Sequence, residues 1–136
     1  MSFSTLAPSV LDPCSSLHPY TGLREFARWA PELRTVAYNG DAESRTIVEQ
    51  YEMFADNGDL KSHVVITTYE ALKNHARVFA RCTRWDCVVI DEGQALKSGE
   101  GNKLWAGINT LHIGIKILLT GTHPFSTSLS PIAMLI

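Results

Sequence analysis

Cys87-Val88-Val89-Ile90-Asp91-Glu92 is the stretch on which the fold turns. It is an uninterrupted apolar run, rich in β-branched residues, that ends on two adjacent carboxylates. A strand with one face in water alternates apolar and polar residues, whereas a strand covered on both faces is apolar along its length. Three other stretches share that character: Thr35 to Tyr38, His63 to Thr67 with its Val64-Val65-Ile66 centre, and Ile115 to Leu119.

The segments between these runs read as helices. Leu23 to Ala30 places Leu23, Phe26 and Ala27 on one side and is stopped by Pro31, because proline disfavours helix at the residue before it. Asp41 is a good N-cap for a helix over Ala42 to Phe54, with Ile47, Val48, Tyr51 and Phe54 at helical spacing. Asp56-Asn57-Gly58-Asp59 breaks it. Tyr69 to Phe79 and Asn102 to Leu111 follow the next two strands, and Leu129 to Ile136 opens a further apolar helix. The alternation of strand and helix predicts an α/β protein with a parallel sheet flanked by helices. Residues 1–21, with Pro8, Pro13, Pro19 and several serines, read as an irregular segment ahead of a domain over 22–136.

Composition bounds the partners. The 136 residues suffice for one core, and 45% apolar with 19% charged residues is the balance of a folded domain. The net charge of -2 speaks against a dedicated basic surface, so any nucleic-acid contact is local or relies on other parts of a larger protein. The odd cysteine count and the absence of C-x-x-C spacing point away from disulfides and zinc. No stretch reads as a signal peptide or a bilayer span, so no membrane partner is expected and a cytosolic or nuclear protein is the default. The five histidines are scattered without metal spacing. Trp29, Trp85 and Trp105 read as core anchors rather than as platforms for bases.

Ligands of open α/β sheets bind at the carboxyl ends of the strands. Three such ends are polar here: Thr67-Thr68, Asp91-Glu92 and Thr120-Gly121-Thr122. Adjacent carboxylates leaving a buried strand are costly unless paired or metal-bound. In a nucleotide site the first can hold Mg²⁺ and the second can orient and deprotonate water. Taken alone, the pair is explained more simply by Asp91 capping a turn and Glu92 in solvent.

The neighbours shift that balance. Asp91-Glu92-Gly93-Gln94-Ala95-Leu96-Lys97-Ser98 resembles motif II of the SNF2 family, and Leu118-Leu119-Thr120-Gly121-Thr122 resembles its motif III at the expected separation. His63-Val64-Val65-Ile66-Thr67-Thr68-Tyr69-Glu70 is similar to the family's strand before a Thr-Thr-Tyr-Glu turn. Arg24 to Leu33, with Trp29-Ala30-Pro31, is similar to its helix ending in Trp-x-Pro. Tyr38-Asn39-Gly40, Arg45, Tyr51-Glu52 and Trp85 fall at its intervals. The resemblance runs from about Leu23 to Leu135, and the wording is nearest the chromodomain-helicase branch.

That resemblance implies an incomplete RecA-like lobe, a P-loop NTPase fold, from an ATP-dependent chromatin remodeller. It implies ATP and Mg²⁺ as cofactors, DNA and nucleosomes as partners, a second RecA lobe supplied elsewhere, and a nuclear location. Asp91 would hold Mg²⁺ through water and Glu92 would be the catalytic base. Gln94 would couple motif II to motif III. Thr120, Gly121 and Thr122 would link the nucleotide to lobe movement. Thr67 and Thr68 would lie along the DNA phosphate track, with turn capping an equal alternative. Lys97 would reach DNA or simply be solvated.

Several departures count against activity of the chain alone. No G-x-x-x-x-G-K-[ST] occurs, so nothing cradles the β- and γ-phosphates. The strand before that loop, which belongs in the middle of the sheet, is expected to be missing. Ala95, Ser98 and the displaced Pro124 differ from the family pattern, and Ala133-Met134-Leu135-Ile136 reads as cut inside an element. The family is a DNA-dependent ATPase. For this chain the readings are a piece of a working enzyme, a degenerate DNA- or protein-interaction module without catalysis, or a lobe of another DExx-type helicase.

Overall fold

The computed structural model describes residues 10–14, 19–90 and 99–119. Five parallel strands form one sheet in the order β2-β3-β1-β4-β5. They are β1 (Val10–Cys14), β2 (Thr35–Tyr38), β3 (Val64–Thr68), β4 (Trp85–Ile90) and β5 (Ile113–Leu118). The helices are α1 (Pro19–Trp29), α2 (Ala42–Ile47), α3 (Tyr69–Phe79) and α4 (Gly99–Asn109). The expected helix from Leu129 lies outside the described residues.

The start of the chain departs from the sequence expectation. Val10–Cys14 is not irregular: it is the middle strand, in register with β3 over its whole length. No Gly-Lys-Thr loop follows β1, so it is not the strand expected to be missing. Pro13, which argues against a strand, pairs with Thr67, but the ladder to β4 covers only Val10 and Leu11. At the proline β1 is therefore bonded on one side, like an edge strand, where proline is tolerated. Helix α1 likewise begins at Pro19 rather than Leu23; a fixed φ and a dispensable N–H suit proline to a helix start.

A second correction concerns the helix expected over Ala42 to Phe54. It starts at the expected cap, with the Asp41 carboxylate accepting from Ser44 N at 2.8 Å. From Val48 to Met53 it widens into a π-helix, and Phe54 N donates to Glu49 O five residues back. The wider turn rotates the later side chains relative to a 3.6-residue pattern. Met53 and Phe54 enter the core, while Ile47 and Tyr51, expected on the apolar side, are exposed.

One face of the sheet carries the main core. Val36, Tyr38, Val65, Val88 and Ile90 meet Met53, Phe54, Leu72, Phe79, Leu104 and Ile108 from the π segment, α3 and α4. Trp85 is fully buried and its indole N–H donates to Phe79 O at 3.0 Å, so it is the core anchor expected of it. Trp105 packs half-buried against the same core. Trp29 does not anchor anything: it is 72% exposed, tied to Glu25 and lying under Arg28.

The opposite face is covered by α1 over β2 and β3. Gly22 lets that helix sit close, since a Cβ there would lie 2.8 Å from Ile66 Cδ1. Over β4 and β5 this face has no helix among the described residues, and Ile115 stands 55% exposed beside the half-buried Cys87.

Candidate functional site at the strand ends

All five strands point their carboxyl ends the same way, so the polar termini converge on one edge of the domain. Ile90 and Leu118 are register partners, and Leu119 N donates to Ile90 O at 2.7 Å. The chain segments entering Asp91 and Thr120 therefore leave the sheet side by side. Asp91, Glu92, Gln94, Lys97, Thr120, Gly121 and Thr122 themselves lie outside the described residues.

The described part of the edge is the end of β2 and β3. Thr67 is completely buried, and its hydroxyl donates to Tyr38 O at 2.9 Å. It staples β3 to β2 and has no surface to offer a phosphate, which corrects its reading as a DNA contact. Thr68 is different. Its hydroxyl caps α3 by accepting from Ala71 N at 3.1 Å, and it is only half-buried. A hydroxyl that accepts one bond can still donate one. Capping and an outward donation are thus compatible at Thr68, not alternatives.

Between these ends lies a polar cleft of about 220 Å³, lined by Asn39, Arg45, Thr68, Glu70, Asn74 and His75 among others. Each wall has a local cause. Gly40 takes φ +100° to turn the chain from β2 into α2, a conformation open to glycine. Arg45, one turn into α2, donates from Nη1 back to Gly40 O. His75 breaks the regular helix of α3, with φ -124° and ψ 29°, and sets its ring edge-on to Tyr38 at 6.2 Å.

Beneath the cleft the Tyr38 hydroxyl donates to Glu49 Oε1 at 2.8 Å. Burial, then the neighbouring Glu49 carboxylate, pushes the phenol well above its ordinary value, so it stays protonated. Asp41 moves the other way: hydrogen bonds from Ser44 hold its carboxyl below the usual range. On β4, burial and then Asp86 raise the Cys87 thiol. Among the described residues no cluster of His, Cys, Asp or Glu could hold a metal ion. No helix among them is long and apolar enough to cross a membrane.

Asn74 and His75 carry no sequence signal that singles them out, while Glu70 belongs to the Thr-Thr-Tyr-Glu turn and Asn39, Gly40 and Arg45 stand only at matching intervals. The Asn39-Gly40-Asp41 turn at a strand's carboxyl end is the signal that could find this cleft. The contribution of α3's second turn has none.

The class of fold is a parallel α/β lobe whose strand ends share one edge. The family model described as the SNF2-related domain matches residues 10–136, and the chain belongs to that family. The match begins at Val10, which agrees with β1 being part of the fold. Among curated relatives, Protein CHROMATIN REMODELING 4 of Arabidopsis thaliana is 37% identical over 124 residues, covering 83% of this chain and 6% of its own length. Chromodomain-helicase-DNA-binding protein 6 of Rattus norvegicus is 37% identical over 105 residues, covering 73% of this chain and 4% of its own. The solved Sulfolobus solfataricus SWI2/SNF2 ATPase core in complex with dsDNA matches with a TM-score of 0.64 at 26% identity, over 87% of this chain and 22% of that one. The homologues are chromatin-remodelling factors, chromodomain helicases among them, and the chain spans a small part of their length.

Proposed function

We propose that this chain forms part of the first ATPase lobe of a nuclear chromatin remodeller, and that it does not bind or hydrolyse ATP alone. The observation that carries the reading is the side-by-side exit of β4 and β5, with Leu119 N bonded to Ile90 O. It sets Ile90 and Leu119, the residues before Asp91 and Thr120, side by side, as a site sensing nucleotide through two strand ends requires.

The donor set fits Mg²⁺ but not the nucleotide's phosphates. Asp91 would hold the ion through water, and Glu92 would take the proton of an attacking water. Gln94 and Thr120, Gly121 and Thr122 would carry the nucleotide state onward. Bound Mg-ATP would supply the phosphoanhydride whose cleavage drives movement along DNA. No Gly-Lys-Thr loop exists in the chain to cradle it, so no step is assigned to this chain by itself.

Toward DNA, the free donor of Thr68 at the head of α3 is the best-founded contact. A helix N-terminus favours an anion, and a threonine hydroxyl binds phosphate without reading bases. Lys97 would add charge. Nucleosomes and the second lobe are reached through the larger protein. The missing phosphate loop also favours a second reading, a non-catalytic interaction module that keeps the fold and the DNA-facing edge.

Calorimetry of Mg-ATP against the purified chain, with Asp91→Asn in parallel, tests the proposal. A folded sample is expected to give no heat of binding. Binding that disappears in Asp91→Asn would overturn it, because the phosphates would then have a cradle within these residues.

A further inference from the structure

Two Asn-Gly pairs occur in the sequence, Asn39-Gly40 and Asn57-Gly58, and an aspartate follows each. Such a pair is chemically labile. A glycine puts no side chain in the way when its backbone nitrogen attacks the asparagine amide. The local sequence gives both pairs much the same reactivity, so the fold decides between them.

Asn39 is half-buried just past the end of β2, next to Tyr38, whose carbonyl accepts from Thr67. The Gly40 carbonyl accepts from Arg45 Nη1, and a Cβ on Gly40 would lie 3.2 Å from Ser44 Cβ. Swinging this peptide requires the Arg45 bond and the contact with Ser44 to yield together. Asn57 and Gly58 are both exposed, at the tip of a turn closed by Ala55 N on Asp59 O at 2.8 Å. Gly58 takes φ +87°, with open space where a Cβ would be. Its N–H donates to Ala55 O at 2.8 Å, a surface bond that water can replace. Asp59 N donates to Asn57 Oδ1 at 3.1 Å, on the oxygen where negative charge collects during attack.

We propose that Asn57-Gly58 is a site of spontaneous deamidation in the folded chain, and that the fold protects Asn39-Gly40. Gly58 N gives up its proton and bonds to Asn57 Cγ. The Cγ–Nδ2 bond breaks, and the nitrogen leaves with that proton as ammonia. Water then opens the succinimide at either ring carbonyl, to an aspartyl or an isoaspartyl link. Each product exchanges an amide that donates to Asp59 Oδ2 at 2.7 Å for a carboxylate between Asp56 and Asp59. Like charges then meet in the turn. That turn joins the π segment to the approach of β3, through the Phe54–Leu60 bridge and Lys61 N on Met53 O.

Peptide mapping of the full chain after incubation at mildly alkaline pH reads both sites at once, by the mass gained when amide nitrogen is exchanged for oxygen. The same chain in urea gives the rates without the fold, and there the two pairs should react alike. In the folded chain Asn57 should convert faster than Asn39 by about tenfold or more. Arg45→Ala frees the Gly40 carbonyl, and it should speed conversion at Asn39 while leaving the Asn57 rate unchanged. Equal rates at the two sites in the folded chain, or faster conversion at Asn39, would overturn the proposal. So would an Asn57 that converts in urea but not when folded. An Asn39 rate indifferent to Arg45→Ala would overturn the cause assigned to its protection.

Discussion

The two halves of the sheet carry similar residues in different surroundings. Register links Val64, Val10, Cys87 and Ile115 into one row that crosses from β3 through β1 and β4 to β5. At one end of the row Val64 is fully buried on the side packed by α1, and at the other Ile115 is 55% exposed. Both ends are β-branched and apolar, so sequence alone would bury both. The difference shows that strand character is set locally, whereas burial is set by which crossover helix lies on which face. In this chain α1 serves β2 and β3, and the other helices pack on the opposite side.

The largest test of that contrast is Ile66→Ala. Ile66 is 1% exposed and touches the position where α1 approaches most closely at Gly22. Removing its branched end leaves a cavity between helix and sheet, with an expected loss of about 2–5 kcal/mol in denaturant melts. A loss under about 1 kcal/mol would mean that α1 does not seal this half and that the two halves are alike.

Tyr38→Phe probes the covered half more finely. The phenol donates to Glu49 and its ring packs edge-on to Phe79 at 5.1 Å. The ring is kept and one hydrogen bond is lost, so stability should drop by about 1 kcal/mol at neutral pH. The proton linkage has a definite sign. A phenol whose folded pKa is raised above 10.0 contributes stability that is intact below that value and is lost as pH rises through the folded pKa. The unsubstituted chain should therefore lose stability above about pH 10 faster than Tyr38→Phe, as read by melts in an alkaline series.

Much of this contrast is written in the residues themselves. Val64-Val65-Ile66 and Cys87-Val88-Val89-Ile90 announce buried strands because β-branched runs have few other uses, and the parallel α/β arrangement follows from their alternation with helices. What stays hidden does so for physical reasons. Pro13 hides β1, because a proline in a central strand is excluded by default and only the short ladder to β4 excuses it. The π turn after Val48 is invisible to a 3.6-residue count, which puts Ile47 and Tyr51 on the wrong side. At the site, the Thr67-Thr68 pair can be located from the sequence but not divided. Adjacent strand residues face opposite ways, and only the fold tells which hydroxyl is buried against Tyr38 O and which caps α3.

The smallest expected effect sits at the bare end of the row. Ile115→Ala removes a side chain that already keeps about half its surface in water, so unfolding of dilute protein should change by under about 1 kcal/mol. The comparison with Ile66→Ala is between residues of one type in one sheet, which leaves covering as the variable. A large loss at Ile115 would show that a further segment covers β5, and the two halves would then differ less than their described surfaces suggest.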